Sequence, residues 1–215
     1  MVNFIDRLGG SLLFPFFALY VTKKFNVGMT EVGGLFAVWS VSSVIGSFPS
    51  GALTDRLGRK GMIIFSLVTT SLASLALSFV NTIGLFFVVG FMSSIFTEIS
   101  SPAYQAIVAA ILPDEKRTQG YGIFRVAFNL AGVLGPVIGG FIATRSYLAL
   151  FITDAIISLV AAAVVFFAIA ETRPEVQPDV EPETTAESFG SYLRVLRDAP
   201  FMTFVTISTL AWWFT

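Results

Sequence analysis

The chain has 215 residues, of which 55% are hydrophobic and 13% charged, with a net charge of −1 and a mean hydropathy of +0.81. A soluble domain carries about 25% charged residues, so this composition excludes one and assigns the chain to a lipid bilayer. Cysteine and histidine are both absent, which excludes disulfides, thiolate chemistry and most transition-metal sites and leaves carboxylates and arginines to carry any chemistry.

Crossing the hydrocarbon core takes roughly 20 apolar residues, and each crossing must be a helix because lipid offers no partner to a backbone N–H or C=O. Six such spans are expected, at about 3–21, 31–53, 61–80, 83–108, 119–143 and 147–170. No alternating apolar–polar strands of the kind that build a barrel are present. Asp6 and Arg7 interrupt what would be the apolar core of a signal peptide, so the first span is expected to be retained. Past the sixth span, "ETRPEVQPDVEPETTAES" sets Pro174, Pro178 and Pro182 among six acids and one Arg, the composition of a solvated linker. In "SFGSYLRVLRDAP", Phe189, Tyr192, Leu193 and Leu196 share one helical face with Arg194 and Arg197 off it. After a cap at Ser188, this suits a short amphipathic helix, lying on the membrane surface or packed on protein. From Phe201 the chain is apolar again and stops at Thr215, too soon to span. The expected organisation is a six-helix bundle over 1–170, a cytoplasmic linker with a short helix over 171–198, and the start of a seventh membrane helix over 201–215. The chain is read as the N-terminal part of a longer protein.

If the 2–3 loop, the 4–5 loop and the linker share one side, that side holds Arg56, Arg59, Lys60, Lys116, Arg117, Arg173, Arg194 and Arg197, against Lys23, Lys24 and Arg145 opposite. The positive-inside rule then puts the motif loop and the linker in the cytoplasm, in a multi-pass protein of the cell (inner) membrane. "GSFPSGALTDR" laid on "GPVIGGFIATR" pairs Gly46 with Gly135, Gly51 with Gly140 and Arg56 with Arg145, always 89 residues apart. That offset maps the second helix onto the fifth. Three helices per unit turns the second copy upside down, giving an all-α membrane fold of two inverted three-helix repeats.

"GALTDRLGRKG" packs Asp55, Arg56, Arg59 and Lys60 into six residues between two apolar runs. It resembles the signature between the second and third helices of the major facilitator superfamily, G-x-L-x-D-R-x-G-R-K, and meets every fixed position: Gly51, Leu53, Asp55, Arg56, Gly58, Arg59 and Lys60. Gly51 and Gly58 are expected to permit close helix approach and a tight turn, and Asp55 to pair with the bases or meet a helix N-terminus. The resemblance implies that this loop latches against a C-terminal half and releases as the two halves rock. The plainer reading is that the three bases are positive-inside anchors. "GVLGPVIGG" looks like the fifth-helix motif of the family's antiporters, drug exporters above all. Its Gly132, Gly135, Pro136, Gly139 and Gly140 are spaced to lie along one face for helix–helix contact, with or without a transport bias.

Charges inside spans cost roughly 2.5–3.5 kcal/mol each on insertion scales, so Asp6, Arg7, Glu98, Arg125 and Asp154 are each expected to face a cavity or a partner. Depth suggests that Arg125 pairs with Glu98 or Asp6, either as a proton-coupling switch or as a static bridge. Asp154, seven residues past the outer turn, is read as a water-facing or helix-start residue. Many proton-coupled members of the family carry an Arg early in the fourth helix, and "FFVVGFMSSIFTEISSPAYQ" offers Gly90 and serines instead. The resemblance implies a secondary active transporter, not an enzyme, that exports small amphipathic or drug-like compounds by proton antiport. A sugar, organic-acid or other metabolite carrier working by symport or uniport, and a membrane scaffold that transports nothing, are the alternatives. The expected partners are a small-molecule substrate, protons, the lipid bilayer and the C-terminal half; neither a cofactor, a metal nor a nucleic acid is expected.

Overall fold

The structure is a computed structural model. It describes residues 2–98, 102–104, 106–107, 112–169 and 198–214; the side chains of 52, 55–57, 205 and 209–214 are outside that description. In chain order the helices are α1 (Val2–Phe25), α2 (Met29–Leu57), α3 (Arg59–Phe79), α4 (Ile83–Glu98), α5 (Asp114–Ala143), α6 (Tyr147–Ala168) and α7 (Ala199–Phe214). No strand occurs among the described residues. The chain divides into two compact units, Met1–Pro174 with α1 to α6 and Glu175–Thr215 with α7.

Six helices of the first unit are long and apolar enough to cross a membrane, the fourth as Ile83–Tyr104. Large apolar side chains cover the outside of this unit: Phe167 is 85% exposed, Phe141 75% and Ile123 72%. Water would not tolerate so extensive an apolar surface, and lipid does. Pro15, Pro49 and Pro136 all lie inside continuous helices, as membrane helices allow. α1 runs to Phe25, past its expected end, because Lys24 stays in the helix and turns its ammonium to a neighbour. Its Nζ donates to Tyr20 Oη at 2.7 Å and to the Ser78 carbonyl at 2.8 Å, capping the last turn of α3. Ser146 caps α6 by accepting from the Ala149 N–H.

Within the first unit α1 packs chiefly on α5 and α6, α2 on α4, and α3 on α6 and α4. Exchanging α1–α3 with α4–α6 leaves this set unchanged, as two repeats related by a two-fold axis require. The relation extends to single residues. The buried stripe of α2 is Ser42, Gly46 and Ser50; that of α5 is Ala131, Gly135 and Gly139, each 89 positions later. A Cβ on Gly46 would collide with the Ile95 carbonyl of α4, and one on Gly135 would lie 2.6 Å from Ser11 Cβ of α1. The two repeats therefore cross at matching small residues, where backbones approach without side chains between them.

Two apolar clusters fill the bundle. One joins Phe17, Tyr20, Val21, Leu77, Phe86 and Phe151; the other joins Met62, Ile63, Leu67, Ala161, Ala162 and Val165. Gly90 makes room for Trp39 in the first: a Cβ there would strike the indole, whose ring stacks 4.5 Å from Phe17.

A single residue, Gly58, joins α2 to α3. It caps the end of one helix with its N–H on the Thr54 carbonyl at 3.1 Å and accepts from the Met62 N–H of the next at 3.2 Å. Its φ of 88° and ψ of 148° belong to a region that side chains avoid. Gly58→Ala is expected to lower the thermal midpoint of the purified protein through strain of about 1–3 kcal/mol. Gly61→Ala, whose added methyl meets nothing within 4 Å, is the matched control and is expected to leave it unchanged.

The second unit contributes α7. Asp198 caps it, its Oδ1 accepting from the Phe201 N–H at 3.2 Å. Of the linker expected over 171–198, with its short helix, all but Asp198 lies outside the described residues.

Candidate functional site

The motif loop sits where the sequence places it, between α2 and α3, with Gly58 as the turn. Leu53 packs on the Met62–Ile63 cluster. Lys60 Nζ donates to the Phe166 carbonyl of α6 at 2.7 Å and lies 5.2 Å from the Phe166 ring centroid. A cation on the last turn of α6 complements the partial negative charge there. This contact also brings the end of α6 to the same end of the bundle as the motif. Arg59 Nε is buried with no partner among the described residues. Gly51 differs from the expectation of a close helix approach: a Cβ there would meet nothing within 4 Å. Asp55 and Arg56 have helical backbones, and their side chains are outside the described residues.

The α5 glycines divide by position. Gly135 and Gly139 press on α1, the second against the Leu12 carbonyl, and Gly140 faces Phe16 at an ordinary 3.5 Å. Gly132 and Pro136 instead line a cavity of about 480 Å³ with Arg7, Gly10, Ser11, Phe14, Pro15 and Phe128. That volume suits a small organic molecule. The Arg7 guanidinium stands over the Phe128 ring at 4.0 Å from its centroid, so the cavity wall combines a fixed positive charge with aromatic faces. Ser11 Oγ bonds the Arg7 carbonyl within α1. Among the aromatic residues of α1 and α2, Phe14 lines this cavity, while Phe17, Tyr20 and Trp39 belong to the core.

The other intramembrane charges separate. Asp6 is half-buried and accepts from the Tyr104 hydroxyl at 3.5 Å. Glu98 is half-buried at the end of α4, and Arg125 is exposed on α5. Among the described residues no ion pair joins Arg125 to Asp6 or Glu98; the ion pair seen is Arg117–Asp114, 2.6 Å, in the first turn of α5. The expected Arg125 pairing is thus not formed in this conformation. The reason is rotational: Arg125 is off the Ala131–Gly135–Gly139 stripe by which α5 meets α1.

Asp154 has a partner, as a charge inside a span requires, but corrects the water-facing or helix-start reading. It is neither water-facing nor at a helix start: it is 3% exposed, and Ser74 Oγ of α3 donates to its Oδ2. The available signal was the α6 stripe Leu150, Asp154, Ala155, Ser158, Ala161, Ala162 and Val165, whose small residues mark the packed face and include the carboxylate.

A bundle of two matched triplets with a charged cavity against one helix crossing has the build of one lobe of a secondary transporter. The Major Facilitator Superfamily matches residues 1–215, and the chain belongs to that superfamily. It is 29% identical over 166 residues to a Na(+), Li(+), K(+)/H(+) antiporter of Planococcus maritimus, covering 75% of this chain and 39% of that protein. It is also 29% identical over 169 residues to multidrug resistance protein 2 of Bacillus subtilis, covering 79% and 42%. With the class B tetracycline resistance protein of Escherichia coli it shares 26% over 176 residues, covering 80% and 43%. The chain therefore spans about two-fifths of the length of these relatives. The crystal structure of a D-xylose-proton symporter superposes with a TM-score of 0.69 at 15% identity, covering 96% of this chain and 55% of that one, a likeness of fold.

Proposed function

We propose that the complete protein is a secondary active transporter that exports small amphipathic or drug-like compounds in exchange for protons, with this chain as one of two rocking lobes. One observation carries the reading: a cavity of about 480 Å³ that combines the Arg7 charge with aromatic faces lies beside the Gly135–Gly139 crossing of α1 and α5, a space that a small organic substrate would fill. The names of the drug-resistance relatives and of the cation/H(+) antiporter support export and proton exchange. On this reading Gly51, Leu53, Asp55, Arg56, Gly58, Arg59 and Lys60 form the gate at the cytoplasmic face of the inner membrane, on the same side as the linker. Gly132, Gly135, Pro136, Gly139 and Gly140 form the antiport-type seam, and Asp6, Arg7, Glu98 and Arg125 serve the substrate or the proton. The C-terminal half supplies the opposite wall.

The exposed Arg7 in the cavity favours a second reading, a carrier of organic acids, because a fixed cation attracts a carboxylate and repels a cationic drug. Liposomes holding the full-length protein separate the two. Under an imposed proton gradient, export of a lipophilic cationic dye is expected, with Asp6→Asn, Glu98→Gln or Arg125→Ala slowing it by about tenfold, equivalent to roughly 1.4 kcal/mol. Gradient-driven movement of organic anions and not dyes would establish the second reading. Unchanged dye export in all three variants would overturn the coupling assignment.

A further inference from the structure

Between the two apolar clusters lies a polar layer where α1, α3 and α6 meet. On α3, Ser71 and Ser74 fall between Leu67 of one cluster and Leu77 of the other; on α6, Asp154 and Ser158 fall between Ala161 and Phe151. Ser71 and Ser158 are each 1% exposed. Ser74 satisfies one oxygen of Asp154, while Asp154 Oδ1, Ser71 Oγ and Ser158 Oγ are all buried with no partner among the described residues. Three orphaned oxygens in one layer are an unusual concentration for a bundle surrounded by lipid. α3 and α6 run antiparallel, so Ser71, one turn before Ser74, and Ser158, one turn after Asp154, are displaced toward the same end and stand level. α1 presents Gly9 here, and a Cβ on it would be 2.6 Å from Asp154 Oδ1, so the unpartnered oxygen faces the space that glycine leaves.

We propose that this layer binds a monovalent cation, a proton or an alkali-metal ion, on the Asp154 carboxylate with the hydroxyl oxygens of Ser71, Ser74 and Ser158. One carboxylate in apolar surroundings balances one positive charge, which selects the monovalent class. Hard oxygen ligands suit an alkali ion, and the same serine oxygens accept from a protonated carboxyl. The groups around it leave its charge uncompensated: the neighbouring Asp6 of α1 is offset by Arg7 and bonded by Tyr104, and among the described residues no arginine or lysine pairs with Asp154. Lys24 and Lys60 are engaged with the carbonyls of Ser78 and Phe166 at the two ends of the bundle. The site is separate from the Arg7 cavity. α1 turns Gly9 to one and Arg7, Gly10 and Ser11 to the other, so a single helix divides them.

The test reads the site without transport, so it stands or falls apart from the exporter reading. The full-length protein in membranes is treated with N,N′-dicyclohexylcarbodiimide, to which a protonated carboxyl in apolar surroundings adds to give a stable N-acylurea, and the adduct on the peptide between Arg145 and Arg173 is mapped by mass spectrometry. Modification of Asp154 is expected at about pH 6, falling by about tenfold or more toward pH 9. Protection by LiCl or NaCl relative to choline chloride identifies the alkali ion as ligand, with Ser158→Ala weakening that protection; pH dependence with no salt effect identifies the proton. Asp154→Asn, which removes the adduct, assigns the signal. An Asp154 that is never modified, or is modified equally at every pH and in every salt, overturns the proposal.

Discussion

Gly139→Leu is expected to abolish accumulation of folded protein, and Gly139→Ala and Gly135→Ala to destabilise it by about 1–3 kcal/mol each, the usual cost of overfilling a packed contact. A Cβ at 139 falls on the Leu12 carbonyl, and one at 135 lies 2.6 Å from Ser11 Cβ and 2.8 Å from the Ser11 carbonyl carbon. Backbone atoms in a neighbouring helix cannot swing aside as a side-chain tip does, so α1 and α5 must separate. Gly46→Ala, facing the Ile95 carbonyl in the matching crossing, is expected to behave alike. Gly132→Ala and Gly140→Ala, members of the same motif, have open space or a 3.5 Å contact with Phe16 and are expected to keep wild-type stability. Thermal denaturation of the full-length protein, followed by the fraction remaining monodisperse on size exclusion, reads the series. Equal losses at 132 and 139 would contradict the packing account.

Arg7→Ala is expected to reduce the flux of an anionic substrate by about tenfold or more, corresponding to roughly 1.4 kcal/mol, and not that of a cationic dye, while leaving the thermal midpoint in place. The residue is exposed and forms no ion pair among the described residues, so the fold loses little when it goes. The cavity, in contrast, loses its charge. Phe128→Ala is expected to act more mildly, because a cation–π contact is worth about 0.5–2 kcal/mol and the guanidinium remains. Arg7→Lys should retain part of the flux if charge alone is needed. Initial rates in liposomes, with melting curves for each variant, decide the matter; unchanged anion rates for Arg7→Ala would remove the cavity from the substrate path.

The six spans were legible because lipid leaves each no alternative to helix, and their apolar runs exceed the bilayer thickness. Their ends were not, since polar residues extend a helix beyond the hydrocarbon at no cost. Lys23 and Lys24 lengthen α1, and "DEKRTQG" lengthens α5, its Asp114 and Glu115 suiting a helix start. The repeat could be read only at two glycine pairs and one arginine pair. Serine and alanine occupy the other crossing positions in exchange for each other or for glycine, so size is preserved and identity is not. Charges fared least well. Depth along a helix follows from counting, but azimuth depends on which face packs, and that placed Arg125 outward and Asp154 inward against expectation. Gly51 shares its motif with Gly58, yet only Gly58 has a backbone that demands glycine.

The corner at Gly58 also constrains how the chain can vary. Two rods of 29 and 21 residues meet there with one residue between them, so neither can advance or rotate independently of the other. Inserting a residue into the start of α3 would swing everything after it by about 100°, carrying Ser71 and Ser74 away from Asp154. Length at this corner is therefore held as tightly as any side chain, and tolerance to insertions should fall to its minimum here.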